Sequence, residues 1–118
     1  MIKVEKDNLI VNLTFDFSLQ IIEFTELLET TRRFNHANQL FRSGTSIGAN
    51  VKEAQNAGSR NDFIHKIKIA AKEADETEYW LQLCKQSKNY PNPDVFLDKI
   101  LSIQKVLTKI IVSSKNNH

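Results

Sequence analysis

From Arg60 to about Lys88 the chain contains neither Gly nor Pro. Within that stretch Phe63, Ile67, Ala70, Ala74, Thr77, Leu81 and Cys84 recur at alternating steps of four and three. Such spacing lines these side chains along one stripe of an α-helix. It cannot lie on one face of a strand, where side chains alternate at every second residue. A helix of this length gains most of its stability by burying its stripe, so the rest of the chain must supply helical partners.

Three further stretches do so. From about Thr14 to Arg33, Phe17, Ile21, Phe24 and Leu28 share a face, with Glu23, Glu26 and Glu29 on the other side and Asn12 or Thr14 placed to cap. From about Ala37 to Ala57 the seam is Leu40, Gly44, Ile47, Val51 and Ala54. From Pro93 to about Ser113 it is Phe96, Ile100, Ile103, Leu107 and Ile110, with Asn92 as N-cap and Pro93 at the first helical position. Between the second and third stretches, Gly58 suits a left-handed C-terminal position. Ser59 to Asp62 resembles a capping box with Asp in place of Glu. Met1–Val11 reads as an extended arm and Ser114–His118 as a frayed polar tail.

The second stretch carries an internal conflict. Ser43, Gly44, Thr45, Ser46, Gly48 and Ala49 are small, and each Gly costs a helix roughly 1 kcal/mol relative to Ala. Local propensity therefore favours a loop over Ser43–Gly48. The seam passes through these residues without losing register, which favours a helix. In that helix Gly44, Gly48 and Ala49 would allow close packing by a neighbouring backbone, and packing would offset the propensity cost.

Composition agrees with four helices. Only three Gly and two Pro occur in 118 residues, too few for the frequent turns of an all-β chain. One domain over residues 1–118 is expected, as an all-α, antiparallel up-down-up-down four-helix bundle with short connections. Sixteen Lys and Arg against fourteen Asp and Glu leave a formal charge of +2, which excludes a histone-like basic protein and an acidic disordered tail. A single Cys allows no internal disulfide, and no apolar run is long enough for a membrane span, so a cytoplasmic location without membrane contact is expected. Apolar residues outside the seams, among them Ile22, Leu27, Ile64, Ile69, Trp80, Leu97, Leu101, Val106 and Ile111, suggest a second buried stripe and hence self-association.

Few residues have the spacing of a reaction centre. A di-iron bundle needs two Glu-x-x-His motifs and two more inward carboxylates. The nearest match is Asp62 with His65, while His36 falls in a turn and His118 in the tail, so neither a metal nor another cofactor is expected. Gly44 to Gly48 follows no strand and lacks the Lys-Ser/Thr of a phosphate-binding loop. Arg60 and His65 resemble the Arg-x4–6-His motif of HEPN ribonucleases, in which His would act as acid or base and Arg would steady phosphate charge. The bland reading of this short motif is a helix start rich in polar residues.

Charge along the third stretch is ordered, with Arg60, Lys66, Lys68 and Lys72 followed by Glu73, Asp75, Glu76 and Glu78. In a hairpin turning at Gly58, Arg42 lies level with the acidic group. A buried salt bridge from Arg42 to Asp75, Glu76 and Glu78 is therefore expected. Lys52, Arg60, Lys66, Lys68 and Lys72 form a candidate phosphate-contacting patch, and Lys99, Lys105, Lys109 and Lys115 a second stripe. On a single chain such groups are most often a solvated surface. Repeated around an oligomer they become a salt-sensitive nucleic-acid interface.

Arg42-Ser-Gly-Thr-Ser-Ile-Gly-Ala-Asn-Val-Lys-Glu-Ala54, then Asp62-Phe-Ile-His-Lys66 and Glu73-Ala-Asp-Glu-Thr-Glu-Tyr-Trp-Leu81, resemble the bacterial four-helix-bundle proteins of the 23S rRNA intervening-sequence family. The likeness runs from about Phe15 to Ile111, and the accessory variability determinant of diversity-generating retroelements is similar in fold. It implies a helix at Ser43–Gly48 and a ring-like homopentamer. The accessory relatives bind nucleic acid and a reverse transcriptase through basic surfaces, and the family carries no known catalytic residues. Those relatives resemble strongly basic rings, whereas this chain is only +2. The leading expectation is a non-enzymatic, oligomeric scaffold for RNA or an RNA-binding protein. The alternatives are a purely structural or protein-interaction bundle and, behind it, a ribonuclease using Arg60 and His65.

Overall fold

The computed structural model describes residues 8–116. They form α1 (Leu9–Thr30), α2 (Phe34–Ala54), α3 (Arg60–Gln86) and α4 (Asp94–Asn116), in a rod 49 Å long. Four helices, with no strand among the described residues, make an all-α bundle. Cross-helix pairs give the direction of each neighbour. Ser43 meets Thr77 and Lys66 meets Glu53 between α2 and α3. Arg60 meets Ser114 and Lys85 meets Asp94 between α3 and α4. Gln20 meets Lys99 and Phe24 meets Phe96 between α1 and α4. In every pair the numbers rise along one helix as they fall along the other, so neighbours are antiparallel.

The seams read from the sequence are the core. Phe17, Ile21 and Leu28 of α1, Leu40, Ile47 and Val51 of α2, Ile67, Ala70, Ala74 and Leu81 of α3, and Ile100, Ile103 and Leu107 of α4 are all buried. Leu97, placed outside the seam on sequence, is buried with them. Phe63, Phe96 and Ile110 lie at its edge, half-buried.

The helix starts differ where capping logic competed with burial. α1 begins at Leu9, so Leu9–Val11 is helix and not part of an extended arm. Ile10 is buried and continues the seam, and the Thr14 hydroxyl donates back to the Ile10 carbonyl at 2.8 Å instead of capping. Residues 1–7 of the proposed arm lie outside the described residues. At the other terminus α4 includes Ser114–Asn116 where a frayed tail was expected, with residues 117–118 outside the described range. α2 starts at Phe34, three residues early, because Arg32 takes a left-handed conformation (φ 65°) that closes the α1–α2 turn. Nothing in the residue type announces that turn. Gly58 adopts no positive φ, contrary to its expected left-handed role, and the α3–α4 turn instead places Asn89 at φ 65°. The Ser59 cap forms as read, its hydroxyl accepting from the Asp62 N–H at 3.1 Å. Asn92 accepts from the Asp94 N–H at 2.9 Å.

Ser43–Gly48 is helical throughout. A Cβ built on Gly44 would lie 2.9 Å from Ile21 Cγ2, and one on Gly48 3.1 Å from the Thr14 carbonyl oxygen. The absent side chains therefore let α2 approach α1 at both positions. Ser43 serves the other neighbour, its hydroxyl 3.1 Å from that of Thr77 in a buried contact between α2 and α3. Ala49 takes no part: it is exposed, since it follows Gly48 by about 100° of helical rotation and points past α1.

Candidate nucleic-acid interface

The end of the bundle that holds the α2–α3 turn gathers the cations. Ser59 starts α3, placing Arg60 on its first turn. Its guanidinium donates to the Ser114 carbonyl of α4 at 3.2 Å and so satisfies one of the terminal carbonyls of that helix. Two turns on, Lys68 carries its ammonium against that of Lys115, a contact that lowers the Lys68 pKa below the ordinary lysine value. Both side chains are at the surface. Between them opens a shallow cleft of about 570 Å³ lined by Arg60, Asn61, Ile64, His65, Lys68 and Lys115, with the Ser114 backbone at its edge. None of the described residues lining it is a carboxylate. Two ammonium groups side by side, with a guanidinium near them, make a site electrostatically suited to an anion.

The five cations proposed from sequence do not act as one group. Arg60 and Lys68 share the cleft. Lys66 is turned toward α2, where it pairs with Glu53 at 2.7 Å. Lys52 is exposed on the last turn of α2, and Lys72 is exposed one turn beyond Lys68. Lys115, assigned on sequence to a separate α4 stripe, belongs with Arg60 and Lys68. Lys99 leaves that stripe by donating to Gln20 of α1 at 2.7 Å. One-dimensional spacing gave no sign of these α3–α4 pairings, because they depend on the register between helices.

Arg42 meets one of its three expected partners, Glu76, and not the other two. Its partners are Glu73, at 3.3 Å, and Glu76. Asp75 and Glu78 instead accept from Gln104 of α4, at 3.1 and 2.9 Å. Summing residue numbers across the hairpin found the correct level but not the correct side of α3, whose positions 75 and 78 turn toward α4. Nor is the bridge buried, since the Arg42 side chain is 49% exposed. Glu76 is nonetheless a junction. The Trp80 indole N–H, 2.9 Å from Glu76 Oε2, and then Arg42 hold its carboxyl below the ordinary value.

At the other end, His36 sits half-buried in the first turn of α2. Its Nε2 lies 2.9 Å from the Trp80 carbonyl oxygen and 3.2 Å from Cys84 Sγ. A carbonyl can only accept, so Nε2 carries the proton and cannot serve as a base for the thiol. Burial pushes the Cys84 pKa up to about 11. This Cys–His contact is therefore a packed thiol and not an activated nucleophile. Among the described residues, no three His, Cys, Asp or Glu side chains come together as a metal site. No helix there is long and apolar enough to cross a membrane.

Residues 6–111 match the family of the 23S rRNA-intervening sequence proteins. The chain belongs to that family. A solved structure from the S23 ribosomal protein family of Bacteroides thetaiotaomicron VPI-5482, described as a protein with unknown function, is similar to it. The two share 38% identity over 87% of this chain and 98% of the other, with a TM-score of 0.83. No curated protein matches the chain. Neither the family description nor that of the solved relative names a reaction.

Proposed function

We propose that this intervening-sequence family member is a non-catalytic RNA-binding scaffold of the bacterial cytoplasm that works as a homo-oligomer. The observation that carries the reading is the cleft in which Arg60, Lys68 and Lys115 converge, with no acid among the described residues that line it. A chain of +2 binds a polyanion weakly on its own, and repetition of the cleft in an oligomer multiplies such contacts. The family resemblance favours a ring-like pentamer. Exposed Phe15 and Leu19 on α1, and Phe34 and Phe41 on α2, offer apolar side chains for subunit contact.

Binding to mixed-sequence single-stranded RNA is expected to weaken steeply as salt rises. Lys68→Glu combined with Lys115→Glu removes two phosphate partners per cleft and lowers the log–log salt slope by about 1.4, at roughly 0.7 per contact for single strands. Absence of RNA binding even at low salt would leave the second reading, a protein-interaction bundle, which the exposed Phe and Leu residues favour. Sedimentation as a monomer at micromolar concentration would remove the oligomer. Arg60 and His65 do line one cleft, so RNA cleavage lost in His65→Ala would replace the scaffold by a ribonuclease.

A further inference from the structure

The end of the rod opposite the basic cleft holds a different chemistry. The His36 ring stands edge-on to Trp80, with centroids 5.5 Å apart, and to Tyr90, at 5.4 Å. The Arg33 guanidinium lies 4.2 Å from the centre of the Tyr90 ring. These elements are distant in sequence: Arg33 and His36 flank the start of α2, Trp80 lies near the end of α3, and Tyr90 is in the α3–α4 turn. The rings border a surface pocket of about 500 Å³ whose remaining lining is Asn35, Asn38 and Gln39. Both flanking turns carry a residue in the left-handed region, Arg32 and Asn89.

Three features limit what such a pocket can hold. Half-buried Trp80 and Tyr90 line the pocket, Tyr90 with one face under Arg33, and an aromatic ring packs well against a flat ligand. Primary amides supply paired donors and acceptors, which an aliphatic guest would desolvate without return. None of the described residues lining the pocket is a carboxylate, but Glu76 meets Trp80 at its indole N–H, 2.9 Å away, and the Arg33 guanidinium lies over Tyr90, so charges of both signs border the rings and neither a cation nor an anion is selected. With Nε2–H given to the Trp80 carbonyl, Nδ1 is the His36 ring nitrogen not taken up by that bond.

We propose that this pocket takes one unstacked nucleobase, stacked on the ring of Tyr90 beside Trp80 and hydrogen-bonded along its edge by Asn35, Asn38 and Gln39. Single-stranded RNA is recognised through such aromatic platforms and amide edges. The site uses none of the basic cleft residues, so it stands or falls apart from the scaffold reading.

Trp80 is the chain's one tryptophan, so its emission reports the pocket directly. The test is a titration with uncharged nucleosides (adenosine, guanosine, cytidine and uridine), which have no phosphate for the basic cleft. Saturable quenching is expected for at least one of them, unchanged in the Lys68→Glu/Lys115→Glu variant. Tyr90→Ala should weaken it by roughly 5- to 150-fold, the range for losing one stacking partner, while Tyr90→Phe retains it. Asn38→Ala, at an exposed position, should weaken binding with an unchanged Tm. That variant keeps the test decisive if Tyr90→Ala unfolds. No saturable quenching by any nucleoside, equal quenching in folded Tyr90→Ala, or preferential quenching by choline would each overturn the assignment.

Discussion

Gly44→Ala isolates the contact on which the α1–α2 packing rests. On helix propensity alone the change should stabilise α2 by about 1 kcal/mol. The new methyl, however, would lie 2.9 Å from Ile21 Cγ2 and 3.1 Å from Cγ1. Ile21 is fully buried and β-branched, so its χ1 cannot swing the methyl aside cheaply. Overpacking of this kind costs about 1–3 kcal/mol, leaving a net loss of about 0–2 kcal/mol. The sign should reverse once the obstacle is gone. Ile21→Ala alone costs about 2–5 kcal/mol, and adding Gly44→Ala to it should recover about 1 kcal/mol by propensity and partial filling of the void. The coupling in the double-mutant cycle is then about 1–3 kcal/mol. Urea unfolding followed by far-ultraviolet circular dichroism, at one fixed protein concentration, measures the natural chain and the three variants. A Gly44→Ala gain of about 1 kcal/mol in both backgrounds, with no coupling, would refute the reasoning and the close approach with it.

Two further outcomes follow from the site geometry. Arg42→Glu places a third carboxylate beside Glu73 and Glu76. Because the Arg42 side chain is about half exposed, the loss should be only about 1 kcal/mol in urea unfolding, and it should shrink at high salt. A loss of several kcal/mol would mean that the bridge is a buried lock after all. The Cys84 pKa is raised in the fold from 9.0 to about 11, so the folded state keeps a proton that the unfolded state releases. Its contribution is present in full below pH 9 and is lost as pH rises toward about 11. Subtracting the pH–stability curve of Cys84→Ala from that of the natural chain should show this decline. A flat difference would contradict the buried thiol.

The periodicity of this chain was enough to determine the helices and the stripe each one buries. Alternating steps of three and four bring Phe17, Leu40, Ile67 and Ile100 to inner faces whatever else surrounds them. Ser59 announced its cap because capping is a local exchange between a hydroxyl and an N–H three residues on. The family resemblance was equally legible, carried by contiguous blocks of residues. What lay beyond the linear pattern depends on rotation and register between helices. Arg42 chose Glu73 and Glu76 over Asp75 and Glu78 because those pairs lie on different sides of α3. Lys115 joined Arg60 and Lys68 because α4 runs back antiparallel and ends beside the start of α3. His36, Trp80 and Tyr90 met only when two turns closed at the same end of the rod. One chain's periodicity specifies which face of a helix is apolar, but the relative position of two helices depends on the side chains of both, and that is settled only when they pack.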